Sequence, residues 1–141
     1  MKVKAFIDTT TFIFGFEFRN SNSAQVLGLI NEGKIEAFIN LRVIIEVSNY
    51  FKRHHSALEA NSFVKYLLES CTIVYETDFE EEKKKLKGKI KEKDLDQIAA
   101  TKALGLKFIV AFDRDFKPFQ EYRTPRQFLK ELELKTSGTE F

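Results

Sequence analysis

Asp8 and Asp113 each stand at the end of a short apolar run, VKAFI before the first and FIVAF before the second. In an open parallel sheet, ligands bind just beyond the carboxyl ends of the strands, so both carboxylates fall where chemistry is usually done. Aspartate also serves well as a turn or helix-cap residue, and taken singly each position fits that role equally. Glu46 is more informative, because it interrupts the apolar stretch VIIEV. On a helix its neighbours would be Val43, Val47 and Tyr50, which puts it on or beside the face that meets a sheet. A buried carboxylate without a partner costs several kcal/mol, so a counter-charge is required. Arg42, four residues earlier, is one candidate and a metal ion is the other. The DLD run adds Asp94 and Asp96. Asp94 with Gln97 fits a capping box. Asp96 shares a helical stripe with Ala99, Ala100 and Ala103, small residues that would let the helix sit close to a sheet. Asp96 is therefore the preferred third acid, with Asp94 as the alternative.

Carboxylates brought within a few ångströms raise one another's pKa unless a cation neutralises them. The chain has one cysteine, Cys71, and two histidines, His54 and His55, too few for a zinc site of the usual kind. Oxygen ligands favour magnesium or manganese. Such an ion lowers the pKa of a bound water and makes it a nucleophile for phosphodiester hydrolysis. No Ser-His-Asp pattern, glycine-rich phosphate loop or Cys-His pair competes for this role.

The elements that must carry these acids alternate. Residues 3–7, 35–39, 72–75 and 107–111 read as strands, with a short fifth around 119–122. Helical spacing is expected over 22–31, 41–52, 56–69, 80–91, 94–104 and 124–132. Ser56 followed by Glu59 looks like a capping box, Gly33 and Gly105 stop helices, and TPRQF places Pro125 in a first turn. Alternation of this kind argues for an α/β fold with a parallel sheet and no second domain in 1–141.

FIDTTTFI, IIEVSNYF and DQIAATKALGLKFIVAFDRDF resemble, in order and spacing, the motifs of PIN-domain nucleases, and look closest to VapC-type toxins. The resemblance runs through to the closing TPRQFL helix. It implies a three-layer α/β/α PIN fold with a central parallel sheet, in which Asp8, Glu46, Asp96 and Asp113 are the catalytic and metal-binding acids for Mg2+ or Mn2+. Asp94 and Asp115 are further ligand candidates. Thr9, Thr10 and Arg114 take accessory roles toward water or phosphate. The implied activity is endoribonucleolytic, with an RNA substrate, a homodimer and a small antitoxin as partners. RNA processing, DNA-flap cleavage or a non-catalytic RNA- or protein-binding module are the alternatives. The chain departs from the family pattern at Thr10, where an Asn is often seen, and at Ala111, where a Thr is common. A haloacid-dehalogenase type of phosphohydrolase would need a second Asp at position 10.

A net charge of +2 does not by itself indicate a polyanionic partner, so attraction to phosphate must be local. Arg114, Lys117, Arg123 and Arg126 are the stronger phosphate candidates. The lysines at 83, 84, 85, 87, 89 and 91 read first as a solvated helix face paired with Glu80, Glu81 and Glu82. Most of the 15 Phe should be core, while part of FIFGFEF (12–18) is expected to form a protein interface. His54 and His55 should sit at a helix end. No apolar run approaches the roughly 20 residues that cross a bilayer, and no signal peptide is evident, so a cytoplasmic location is expected.

Overall fold

Strand β1 (Val3–Ile7) is apolar along Ala5, Phe6 and Ile7, all fully buried. A strand covered on both faces needs no polar alternation, and β1 occupies the middle of the sheet. The computed structural model describes residues 2–141, without the side chains of Glu76, Thr77 and Lys93. The other strands are β2 (Ile35–Asn40), β3 (Thr72–Val74), β4 (Ile109–Val110) and β5 (Tyr122–Arg123). Their order is β3-β2-β1-β4-β5, and every pairing is parallel. The chain thus builds outward from β1 in one direction and later returns to its other side. That reversal opens a crevice beyond the carboxyl ends of β1 and β4.

Among the described residues seven α-helices flank the sheet: α1 (Thr9–Glu17), α2 (Asn22–Asn31), α3 (Leu41–His54), α4 (Ala57–Ser70), α5 (Glu80–Leu86), α6 (Glu92–Ala103) and α7 (Pro125–Glu131). The result is the expected α/β/α arrangement around a parallel sheet. Several helix starts follow directly from side chains. Ser21, Asn40, Ser56 and Thr124 each accept a backbone N–H at the N-terminus of α2, α3, α4 and α7, and Thr124 with Gln127 completes a capping box. Phe6, Phe12, Phe51, Phe116 and Phe128 are fully buried, so phenylalanine supplies much of the core volume, as expected.

Two differences from the sequence reading matter for the site. The expected helix 80–91 is only seven residues long, because Gly88 takes a φ of +87°, which only glycine adopts without strain. The next helix then begins at Glu92, two residues earlier than expected, with Lys91 at its N-cap position. Asp94 accordingly lies inside the first turn and is not the cap. The expected capping box with Gln97 does not form. Gln97 is buried, and its Oε1 has no hydrogen-bond partner among the described residues.

Helices α1 and α2 touch at Gly15. A methyl group added there would lie 2.6 Å from Leu27 Cδ1 and 3.1 Å from the Ser23 carbonyl oxygen. The leucine can turn aside more readily than the backbone can. Gly15→Ala is expected to lower stability in urea denaturation by about 1–3 kcal/mol, less whatever the better helix former returns. An unchanged midpoint would show that the two helices have slack at this crossing.

Candidate active site

Each acid owes its position to a different element. Asp8 ends β1 and is the N-cap residue of α1, yet its carboxylate is not used to cap the helix. It is 4% exposed. Burial, followed by the nearby charges of Glu46 and Asp94, pushes its carboxyl from 3.8 up to about 7. Asp113 adds to the same effect, and a bond from the Thr9 backbone opposes it. Asp113 itself follows β4, and one of its oxygens accepts from the Asp115 amide at 2.9 Å, closing the short 3-10 turn Arg114–Phe116. Carboxylate oxygens of Asp94, Asp113 and Asp115 all lie within 4.8 Å of one another. Glu46, on α3, lies close enough to Asp8 for its charge to act there. Its partner among the described residues is the Thr9 hydroxyl, which donates at 3.0 Å, and not Arg42.

Asp94 and Asp96 exchange the places expected of them. Two residues on an α-helix point about 200° apart, so only one of the pair can face the crevice. With α6 starting at Glu92, that one is Asp94. It shares a buried stripe with Gln97, Ile98 and Thr101 at offsets of three, four and seven. Asp96 turns the other way, among Asn40, Tyr75, Phe79 and Ala100, where Lys83 Nζ pairs with it at 2.8 Å. Ala99 and Ala100 are buried as expected, whereas Ala103 is exposed. Asp115, expected as a solvated turn residue or an accessory acid, sits with the cluster and also pairs with Lys91 at 3.2 Å.

The hydroxyls after Asp8 tie the crevice together. Thr10 Oγ1 donates to Asp8 Oδ2 at 3.3 Å and accepts from the Phe112 amide at 2.9 Å. Thr11, which sequence reasoning passed over, is fully buried and donates to the Val110 carbonyl at 3.1 Å. The TTT run was its only signal. The cationic candidates divide. Arg114 and Lys117 are exposed just beyond Asp113. Arg123 is engaged elsewhere: it pairs with Glu131, donates to the Gln120 carbonyl and lies over the Phe108 ring. It lines an open cleft of about 650 Å³ with Lys102 and Lys107, residues that precede β4. Arg126 pairs with Glu140.

The histidine and aromatic expectations also resolve into contacts. His55 lies between Glu17, at 2.7 Å, and Glu59, at 3.3 Å. Within FIFGFEF, Phe12 is fully buried, while Phe16 and Phe18 are each more than two-fifths exposed. Phe14 contacts Phe18, Phe112 and Phe141.

The donors gathered beyond β1 and β4 are all carboxylate oxygens, with neither cysteine nor histidine among them. That donor set suits a hard divalent cation. It also explains how so many acids share one crevice: Asp8 is held near neutrality only by keeping its proton, and a cation would remove that need.

Fold and site together define a three-layer α/β/α domain with an acidic centre at the carboxyl edge of its sheet. The PIN domain family model matches residues 5–121, and the chain belongs to that family. No curated protein matches it in sequence. Among solved structures it resembles a toxin–antitoxin complex from Klebsiella pneumoniae, with 22% identity and a TM-score of 0.68 over 86% of this chain and 97% of the other. It also resembles the sarcin–ricin-loop-cleaving toxin VapC20 of Mycobacterium tuberculosis, with 16% identity and a TM-score of 0.62, covering 81% and 93%. A third is the DNA-bound VapBC of Salmonella typhimurium, with 15% identity and a TM-score of 0.63, covering 86% and 96%. At these identities the likeness is one of fold.

Proposed function

We propose that this PIN domain is a divalent-metal-dependent endoribonuclease of the VapC toxin type. The carrying observation is the convergence of carboxylate oxygens from Asp94, Asp113 and Asp115 within 4.8 Å, beside a buried Asp8 that feels Glu46, Asp94 and Asp113. In this reading Asp8, Glu46, Asp94 and Asp113 hold Mg2+ or Mn2+, Asp115 is accessory, and Asp96 is a structural partner of Lys83. A bound divalent ion would neutralise charge at the scissile phosphate and lower the pKa of water. The protein's own share is positional. Thr9 orients Glu46, Thr10 orients Asp8, and the exposed Arg114 and Lys117 draw a phosphodiester toward the acidic centre.

RNA is favoured over DNA as substrate by the fold shared with a toxin named for cleaving an RNA loop. Exposed Phe16 and Phe18 offer apolar surface to a protein partner, which in the toxin reading is an antitoxin or a second copy of the chain. A cytoplasmic setting accords with such a partner, and no helix among the described residues is long and apolar enough to cross a membrane.

The test is cleavage of RNA by purified protein with manganese and with chelator, beside Asp113→Asn. Cutting is expected only with metal, and the variant should lose at least about 100-fold, more than outer-shell changes usually cost. Equal cutting in chelator would remove the metal from the reading. Cutting of flap DNA but not RNA would move the assignment to a DNA-directed member of the fold.

A further inference from the structure

The segment 135–141 crosses the domain from α7 to α2 and ends beside the acidic crevice. Its fastenings are numerous. Gln25 donates to the Lys135 carbonyl at 2.9 Å, and Asn22 accepts from the Ser137 amide at 2.7 Å while donating to the Thr139 carbonyl. Ser23 gives both its amide and its hydroxyl to the Phe141 carbonyl oxygen, at 2.6 and 2.7 Å. The Phe141 ring packs on Phe14 and on Phe112, the residue immediately before Asp113.

Glu140 is the notable part of this strap. Its Oε2 accepts from the Thr124 hydroxyl at 2.9 Å, and its Oε1 lies 3.4 Å from Arg126 Nη1. The Arg126 amide donates to the Glu140 carbonyl at 3.0 Å. Thr124 directly follows β5, whose last residue, Arg123, pairs with Val110 of β4. A hydroxyl and a guanidinium thus converge on the Glu140 carboxylate at the same edge of the sheet as Asp8 and Asp113, while the Arg126 amide holds the Glu140 main chain.

We propose that Thr124 and Arg126 form a phosphodiester-binding subsite beside the acidic centre, and that Glu140 fills it as an internal stand-in until an RNA phosphate displaces the segment 135–141. The inference rests on the nuclease reading for the identity of the anion. A carboxylate and a phosphate oxygen are interchangeable acceptors for such donors. The hold on Glu140 is half-exposed, so it is weak enough to be exchanged. While the segment is down, affinity for RNA is reduced by the fraction of molecules in which it is displaced.

The test uses full-length protein in the Asp8→Asn background, so that binding is read without cleavage. Anisotropy of a labelled RNA in manganese buffer is compared for Glu140→Gln, for Asn22→Ala, which loosens the segment away from the subsite, and for Arg126→Ala. Both loosening variants should tighten RNA binding by roughly 1.5- to 5-fold, the range of one partly exposed ion pair. Arg126→Ala should weaken binding and abolish the gain from Glu140→Gln. Added RNA should also deprotect the Arg126 and Ser23 amides in hydrogen exchange. Either loosening variant leaving affinity unchanged or lower, protected amides at saturating RNA, or no RNA binding at all would overturn the proposal. RNA that binds and releases the segment but is never cut by the Asp8 protein sinks the nuclease reading alone. RNA that is cut while the segment stays protected sinks the subsite alone.

Discussion

Asp94→Asn is expected to reduce metal-dependent RNA cleavage at least about 100-fold, while Asp96→Asn leaves it within a few-fold of the parent. Asp94 contributes an oxygen to the group shared with Asp113 and Asp115, and its charge reaches Asp8. An amide there donates no full negative charge to a cation and relaxes the repulsion the cation would relieve. Asp96 lies on the other side of α6, paired with Lys83. Its replacement should instead show in stability, by about 1–3 kcal/mol, because a buried pair that loses one charge leaves the other uncompensated. Lys83 retains a little over one-fifth of its side-chain exposure, which keeps the cost at the lower end. Cleavage rates and urea midpoints measured on both variants separate the roles. Loss of cleavage in a folded Asp96→Asn protein would reverse the assignment.

A second large effect concerns pH. In metal-free protein the Asp8 carboxyl holds its proton up to about 7, against 3.8 when unfolded. Between these values the folded state binds more protons than the unfolded one, so stability must fall as pH rises through the window. The contribution is fully present below the unfolded value and gone above the folded one. At about 1.4 kcal/mol for each pH unit, the full span is on the order of 4 kcal/mol. Urea unfolding in chelator should therefore show the protein less stable at about pH 8 than at about pH 5.5. Asp8→Asn should flatten that slope and stabilise the metal-free protein at the higher pH while removing cleavage. Manganese should flatten it in the parent as well, by giving the ionised carboxylate a partner. A metal-free protein whose stability rises across this range would show that Asp8 is not held protonated.

The parts of this site that were legible in the sequence are those tied to strand ends. Asp8 and Asp113 follow uninterrupted apolar runs, and a parallel sheet brings the ends of such runs to one edge whatever the loops do. Glu46 was legible because a charge inside VIIEV demands a partner, although the partner is Thr9 rather than Arg42. Asp94 and Asp96 were not separable, since the phase of α6 depends on where it begins. Its N-cap, Lys91, makes no side-chain capping bond, whereas Asp94 resembles a cap. Gly88 was the available signal, and its positive φ explains why the charged helix ends early. The contacts of 135–141 with Asn22, Thr124 and Phe112 link residues far apart in the chain, and no local periodicity encodes them.

Thr10 has a mechanical consequence. One hydroxyl oxygen grips both the first acid and the main chain just ahead of the last one, while Thr11 pins the same helix start to β4. The ends of the two central strands therefore move as a single piece, a fixed jaw. Any yielding of the crevice falls instead to the elements that face these strand ends. Facing it is α6, which has Asp94 on its inner side, Asp96 paired with Lys83 on its outer one and Lys102 paired with Glu121 near its end.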